Sequence, residues 1–379
     1  MNWESLDNRI LSLDRLELNL IDVPQKETFH SAVGVRQSRQ ALIIRWFTVD
    51  GEVGVAECSC RPDPYFSHEF LSGVSRLISE IVFPQLENGM TYGAFRKLLA
   101  RIRGWNFAKA AISEAVHDLW LRQGLSDPIT EWREPAVQEI PVGISLGLYE
   151  SISTLNSRVE AELAKGYRRI KLKIKPGIPV DYLASVRKYF GDIYLSVDAN
   201  GSFDENSMEE LLRYEDLGLA IIEQPFAPDR LDLSARLKQM MPELRICQDE
   251  SVYEYGHLQS ALILSAIDEL NLKPGRVGGQ EKVIALAELA DSHALPIWVG
   301  GMFETGIGRT ANLRIAARFK EARAHDLSPS TRYFIEDVIG NPPKMNENGA
   351  IPLPTTPPQI DEDRLNRFRV NQEVLKKGS

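Results

Sequence analysis

Cysteine is scarce in this chain: Cys58, Cys60 and Cys247 are the three among 379 residues. A sparse, odd set in a long chain argues against a disulfide-stapled scaffold and fits a reducing compartment. Cys58-Ser59-Cys60 also lacks the two-residue spacer and the second pair of a zinc site. No stretch approaches the roughly 18 consecutive apolar residues of a membrane helix. The opening residues, Met1-Asn2-Trp3-Glu4-Ser5-Leu6-Asp7, carry neither a basic nor an apolar leader segment, so a cytoplasmic location is expected. Basic excess is missing too: 44 Lys and Arg against 53 Asp and Glu leave a net charge of −9. That argues against nucleic-acid partners, which need surplus cations. It leaves room for a small acidic substrate, which needs only a local cationic site. There is no low-complexity tract.

What is present is enough for one large and one smaller domain. Ala41–Phe47 reads as a strand, Val49-Asp50-Gly51-Glu52 as a hairpin turn and Val53–Cys58 as the return strand. An earlier strand runs from Leu16 to Val23. Between it and the hairpin, Thr28 to Arg39 is polar and contains glycine, which suits a connector or a mobile lid. Phe107–Trp120 then carries apolar and small residues at helical spacing, and Gly124 and Pro128 end it. Strands followed by helices define an α+β cap over residues 1–135.

From Ile140-Pro141-Val142-Gly143-Ile144-Ser145 onward, short apolar runs alternate with helical patterns such as Ser151–Lys165 and Gln280–His293. The apolar runs end in ionisable residues at an even period. Lys173, Asp198, Glu223, Asp249 and Lys273 follow one another every 24 to 26 residues. A strand of about five residues, a helix of about eleven and two loops need roughly that length. The pattern predicts a β/α barrel over 136–335 with charged groups at the C-terminal strand ends, where such barrels keep their sites. Pro296–Gly301 makes a seventh strand and Ala324–Ser328 an eighth. The tail, 336–379, is expected to return to the cap.

Asp198, Glu223 and Asp249 on consecutive strands would repel one another at low dielectric, and a cation resolves this. Oxygen ligands without His or Cys select a hard ion, and Mg²⁺ suits them, with Mn²⁺ as a possible substitute. Lys171 and Lys173 share strand parity, so both face the barrel mouth, and Lys273 approaches from the opposite wall. A lysine acting as a base must lose about three pKa units, about 4 kcal/mol, through burial and neighbouring positive charge. Two amines flanking a cation-bound carboxylate make a device for removing the proton next to that carboxylate.

The chain resembles the muconate-lactonising subgroup of the enolase superfamily, and more closely the o-succinylbenzoate synthase / N-acylamino acid racemase family. The resemblance covers most of the chain. Its motifs include Lys171-Leu172-Lys173, Val197-Asp198-Ala199-Asn200, Glu223-Gln224-Pro225, Asp249-Glu250-Ser251 and Asn271-Leu272-Lys273-Pro274-Gly275-Arg276. The most diagnostic is Gly300-Gly301-Met302-Phe303-Glu304-Thr305-Gly306-Ile307-Gly308-Arg309. It implies Asp198, Glu223 and Asp249 as metal ligands, Lys173 as base and Lys273 as the facing amine. Lys171 would assist Lys173 and contact a substrate carboxylate, with Asn200 and Glu250 behind the ligands. Ser145, Gly301 and Met302 would line a pocket for a small-molecule carboxylate, under a Thr28–Arg39 lid. Two activities follow from it, dehydration to o-succinylbenzoate in menaquinone biosynthesis or racemisation of N-succinylamino acids; a non-catalytic barrel scaffold would require a lost ligand or lysine. Arg61 departs from the apolar residue usual there, and reads either as a surface cation or as a contact for the succinyl carboxylate. Thr331 stands where the family often has an acid.

Overall fold

In the computed structural model, which describes residues 3–31, 34–320 and 324–377, the chain enters through a long antiparallel hairpin. Strand β1 (Arg15–Ser31) pairs with β2 (Gly34–Phe47), and β2 with β3 (Val53–Cys58). Residues 28–31 and 34–39 are therefore a continuation of the two strands, with Phe29 opposite Arg36 and Ser31 opposite Gly34 after an irregularity beyond Pro24. Its polar composition hid a strand, because extended edge positions tolerate polar residues where composition alone suggests a loop. Ala32 and Val33, at the tip of the expected lid, lie outside the described residues.

One face of this sheet is covered by the Asn106–Arg122 helix, whose buried side includes Phe107, Ala108, Ala111, Ile112, Ala115 and Leu119. The small residues let helix and sheet come close. At Gly54 a side-chain carbon would stand 2.7 Å from Leu119 Cβ and would overlap the Ala115 carbonyl.

Next come β4 (Glu139–Pro141) and seven parallel strands: β5 (Ile144–Leu146), β6 (Arg169–Lys173), β7 (Tyr194–Asp198), β8 (Ile221–Glu223), β9 (Ile246–Gln248), β10 (Glu269–Leu272) and β11 (Ile297–Val299). They lie side by side in chain order, β5 to β11, as successive right-handed β/α units do. The eighth position is filled by two bridges rather than a full strand. His325 pairs with Val142, and Asp326 with Gly300, so the segment expected as the eighth strand closes the sheet from β11 back towards β5. The strand face turned towards the surrounding helices is apolar, with Ile144, Ile170, Leu172, Leu195, Val197, Ile222, Ile246, Leu270 and Leu272 all buried among helix side chains, while Ile221, Cys247 and Trp298 form a small cluster on the opposite, inward face.

The tail divides. Strand β12 (Ala350–Pro352) pairs with β4, whereas β13 (Arg369–Lys376) adds itself to β1 as the fourth strand of the cap sheet. A smaller apolar cluster joins cap and barrel: Ile21, Val23, Ala41 and Ile43 of the hairpin meet Ile307, Phe334 and Ile339.

The close approach at Gly54 yields a stability prediction. Gly54→Ala should lower unfolding free energy by about 2 kcal/mol, as overpacking of a tight core does. Urea denaturation of the two proteins measures it; equal midpoints would show that the helix can retreat from β3 without cost.

Candidate active site

The C-terminal ends of the parallel strands carry the charges that the spacing predicted. Register sets Lys173 beside Asp198 and Asp198 beside Glu223, so amine and carboxylates converge through strand pairing. Asp198, Glu223 and Asp249 are all 1% exposed or less. Three carboxylates buried this deeply require positive partners, and each has one. Lys171 Nζ lies 2.8 Å from Glu223 Oε2, 2.8 Å from Asp326 Oδ2 and 3.5 Å from Asp198 Oδ2. Lys173 Nζ lies 2.6 Å from Asp198 Oδ2 and 2.5 Å from Asn200 Oδ1. Lys273 Nζ lies 2.7 Å from Asp249 Oδ2, and Arg276 holds the other oxygen of Asp249.

The electrostatic consequences follow. Burial opposes charge on Lys171, yet the carboxylates of Asp326, Glu223 and Asp198 outweigh it and hold its pKa well above the usual lysine value. Burial likewise opposes charge on Asp198, and the ammoniums of Lys173 and Lys171 reverse that and lower its pKa. Arg276, buried at 4% exposure, is pushed down to about 9 by desolvation. Burial raises the pKa of Glu250, whose Oε1 accepts a hydrogen bond from Asn200 Nδ2 at 3.0 Å.

The backbone around these groups is unusual. Asn200 and Gln224, just beyond Asp198 and Glu223, have φ of 46° and 37°, a region that L residues seldom occupy without surrounding support. The support is visible. Gln224 Oε1 accepts from Asp249 N (3.0 Å) and Ser251 N (3.1 Å), and its Nε2 donates to Ser251 Oγ (2.7 Å). One side chain thereby ties the end of β8 to the turn that presents Asp249.

A cavity of 260 Å³ opens over this cluster. Lys171, Lys173, Asp198, Asn200, Glu250 and Lys273 reach its wall, together with Ser145, Gly301, Met302 and Arg61. Glu223 and Asp249 lie deeper, behind the amines that they bind. Arg61 does border the cavity, but its guanidinium is engaged by Asp63 at 2.9 Å. Sequence reasoning gave no role to Asp326, although it sits in the segment expected as the eighth strand. It also passed over Asn271, whose Nδ2 donates to Glu223 Oε1 at 2.8 Å.

The cap reaches the site through a second polar cluster. Glu57, at the end of β3, accepts from Thr305 N (2.9 Å), Thr305 Oγ1 (2.7 Å) and Gly308 N (3.2 Å), capping the Gly306–Ala316 helix from another part of the chain. The neighbouring Glu304 accepts from Met302 N at 2.7 Å and pairs with Arg309 at 2.8 Å. At Gly301 a Cβ would stand 2.6 Å from Arg309 Nη1 and 2.8 Å from Glu304 Oε2, so a larger residue there would have to displace this ion pair. The turn carrying Gly301 and Met302 is thus fixed from below by Glu304 and from the cap by Glu57.

Fold and site together define a capped β/α-barrel protein with an amine–carboxylate cluster at the barrel mouth. A family profile described as Enolase C-terminal domain-like matches residues 154–357. The N-succinylamino acid racemase of Thermus thermophilus is 34% identical over 91% of this chain and 93% of its own length. The o-succinylbenzoate synthase of Geobacillus kaustophilus is 32% identical over 94% of this chain and 96% of its own. A crystal structure of an enolase-superfamily member from Listeria innocua superposes with a TM-score of 0.88 at 28% identity, covering 97% of this chain and all of that one. The chain belongs to the enolase superfamily of enzymes.

Burial, and then the charge of Glu304, pushes the Glu57 carboxyl up to about 7. A carboxyl raised in the folded state contributes stability that is complete below its unfolded pKa of about 4.5 and is lost as pH rises through 7. Glu57→Gln cannot titrate. The stability advantage of the natural protein over this variant should therefore shrink by about 2 kcal/mol between pH 5 and pH 8. Urea denaturation at the two pH values measures the difference; a constant gap would remove Glu57 as a titrating group in this range.

Proposed function

We propose that this enzyme is an o-succinylbenzoate synthase, which dehydrates 2-succinyl-6-hydroxy-2,4-cyclohexadiene-1-carboxylate with the help of Mg²⁺. One observation carries the reading: Lys173 and Lys273, rising from β6 and from the end of β10, border one cavity on separate walls. The relatives named as synthases support it.

The donor set fits a hard divalent ion. Asp198, Glu223 and Asp249 offer oxygen alone, are buried, and demand positive charge. Among the described residues no three such groups close around a common point. Lysine and arginine nitrogens meet that demand here. When bound, the ion supplies charge that stabilises the substrate carboxylate as it takes on enediolate character.

The chain's own residues do the rest. Lys173, as the free amine, takes the α-proton. Lys171, kept charged by its three carboxylates, orients the substrate carboxylate. Lys273 faces the opposite side and steadies the developing negative charge by its ammonium. The enediolate electrons then expel the β-hydroxyl, the Lys173 ammonium returns its proton to it, and water leaves as the ring becomes aromatic. Ser145, Gly301 and Met302 shape the pocket, and Asn200 positions Lys173. Three free cysteines fit a cytoplasmic setting.

A second reading has its own support. The Thermus thermophilus relative is named a racemase, and two amines on opposite walls would serve proton removal from one face and return to the other. Purified enzyme should aromatise the cyclohexadiene substrate, lose that activity to a chelator and regain it with Mg²⁺. Lys173→Ala should abolish turnover. Racemisation of a single-enantiomer N-succinylamino acid in deuterated water, without aromatisation of the diene, would overturn the synthase assignment in favour of the racemase.

A further inference from the structure

Three guanidiniums border the reacting cavity, those of Arg39, Arg61 and Arg309. Two are neutralised by the protein itself: Arg61 by Asp63 at 2.9 Å, and Arg309 by Glu304 at 2.8 Å. Arg39 is different. It is 3% exposed, and its Nη2 donates to the Ser59 carbonyl. Its Nε is buried without a hydrogen-bond partner. Among the described residues no carboxylate oxygen forms an ion pair with it.

The placement follows from strand parity. On β2, Arg39 shares a face with Ala41 and Ile43, the residues that meet Ile307 and Phe334 across the seam. That face turns toward the barrel, which puts the guanidinium in the cavity wall rather than in solvent. Arginine stays charged in proteins, and a buried charge without a counter-ion is costly unless something pairs with it. The acid whose titration feels Arg39 is Glu57, and there burial prevails over that attraction, leaving the carboxyl raised to about 7. A neutral or half-ionised Glu57 is a poor counter-ion. The guanidinium borders the cavity, and an anion bound there would supply the counter-charge.

We propose that Arg39 binds the distal carboxylate of a substrate whose reacting carboxylate sits at the lysine cluster. The ligand class is a dianion: a reacting acid bearing a succinyl chain that ends in a second carboxylate. The inference rests on the reading under Proposed function and adds to it the residue that selects the succinyl tail. Arg61, the other candidate for this contact, already has its partner in Asp63.

The test is binding and turnover with the full chain. The probes are o-succinylbenzoate and its analogue with the tail carboxylate converted to a primary amide, titrated by calorimetry. The natural protein should bind the acid roughly 10- to 100-fold more tightly than the amide, the range expected for one charge-assisted contact. Arg39→Gln should abolish that preference while leaving amide affinity within a few-fold, and should raise KM for the diene far more than it lowers kcat. Arg39→Lys, which keeps the charge, should restore part of the preference and guards against a folding defect in the glutamine variant. Equal binding of acid and amide by the natural protein, or an unchanged preference in Arg39→Gln, would overturn the assignment of Arg39. Absence of both binding and turnover in the natural protein would overturn the functional reading itself, and is told apart by that.

Discussion

The structure is organised around one electrostatic constraint: three carboxylates buried side by side at the mouth of a barrel must be paid in positive charge. Asp198, Glu223 and Asp249 come from consecutive strands, and register alone brings the first two together. Unbalanced, such a trio would oppose folding. The chain answers with Lys171, Lys173, Lys273 and Arg276, all within reach of those oxygens. The same arrangement gives the site its chemistry. In the proposed function the amines beside these carboxylates would exchange protons with a bound carbon acid, and the carboxylates would hold a divalent cation.

The cap is a working part of this site. Strand β3 ends in Glu57, which caps the helix after β11 and so fixes the turn carrying Gly301 and Met302. Strand β2 delivers Arg39 to the cavity wall. The antiparallel sheet therefore borders the cavity, while the parallel sheet carries the lysines and carboxylates that line it. Chemistry and selectivity are divided between the two sheets in this account, which is why enzymes of one superfamily can share a barrel mouth and differ in substrate.

Much of this could be read from the order of residues. The 24-to-26-residue period placed five charged groups on five strand ends, and strand parity turned Lys171 and Lys173 to one side. The Asn106–Arg122 helix declared itself by its small and apolar spacing. What stayed hidden were contacts between distant segments. Glu57 and Thr305 are 248 positions apart, and no local pattern joins them. Asp326 touches Lys171 because two single bridges close the sheet; the segment reads as the eighth strand, but nothing in its short run marks Asp326 as a partner for a lysine 155 positions away. Thr28–Arg39 looked like a loop since polar residues on a long hairpin carry no alternation to betray it. Arg61 drew notice as an unusual residue, but whether an arginine is spent depends on its neighbour in space, and Asp63 settles that.

Mg²⁺ titration of single-site variants by calorimetry tests the central claim most directly. The natural protein and Lys173→Ala should each bind one Mg²⁺ with similar affinity. Asp198→Asn, Glu223→Gln and Asp249→Asn should each bind it at least roughly tenfold more weakly, since each removes one charged oxygen ligand. Unchanged Mg²⁺ affinity in the three carboxamide variants would contradict the account, and would mean that the carboxylates serve the lysines alone.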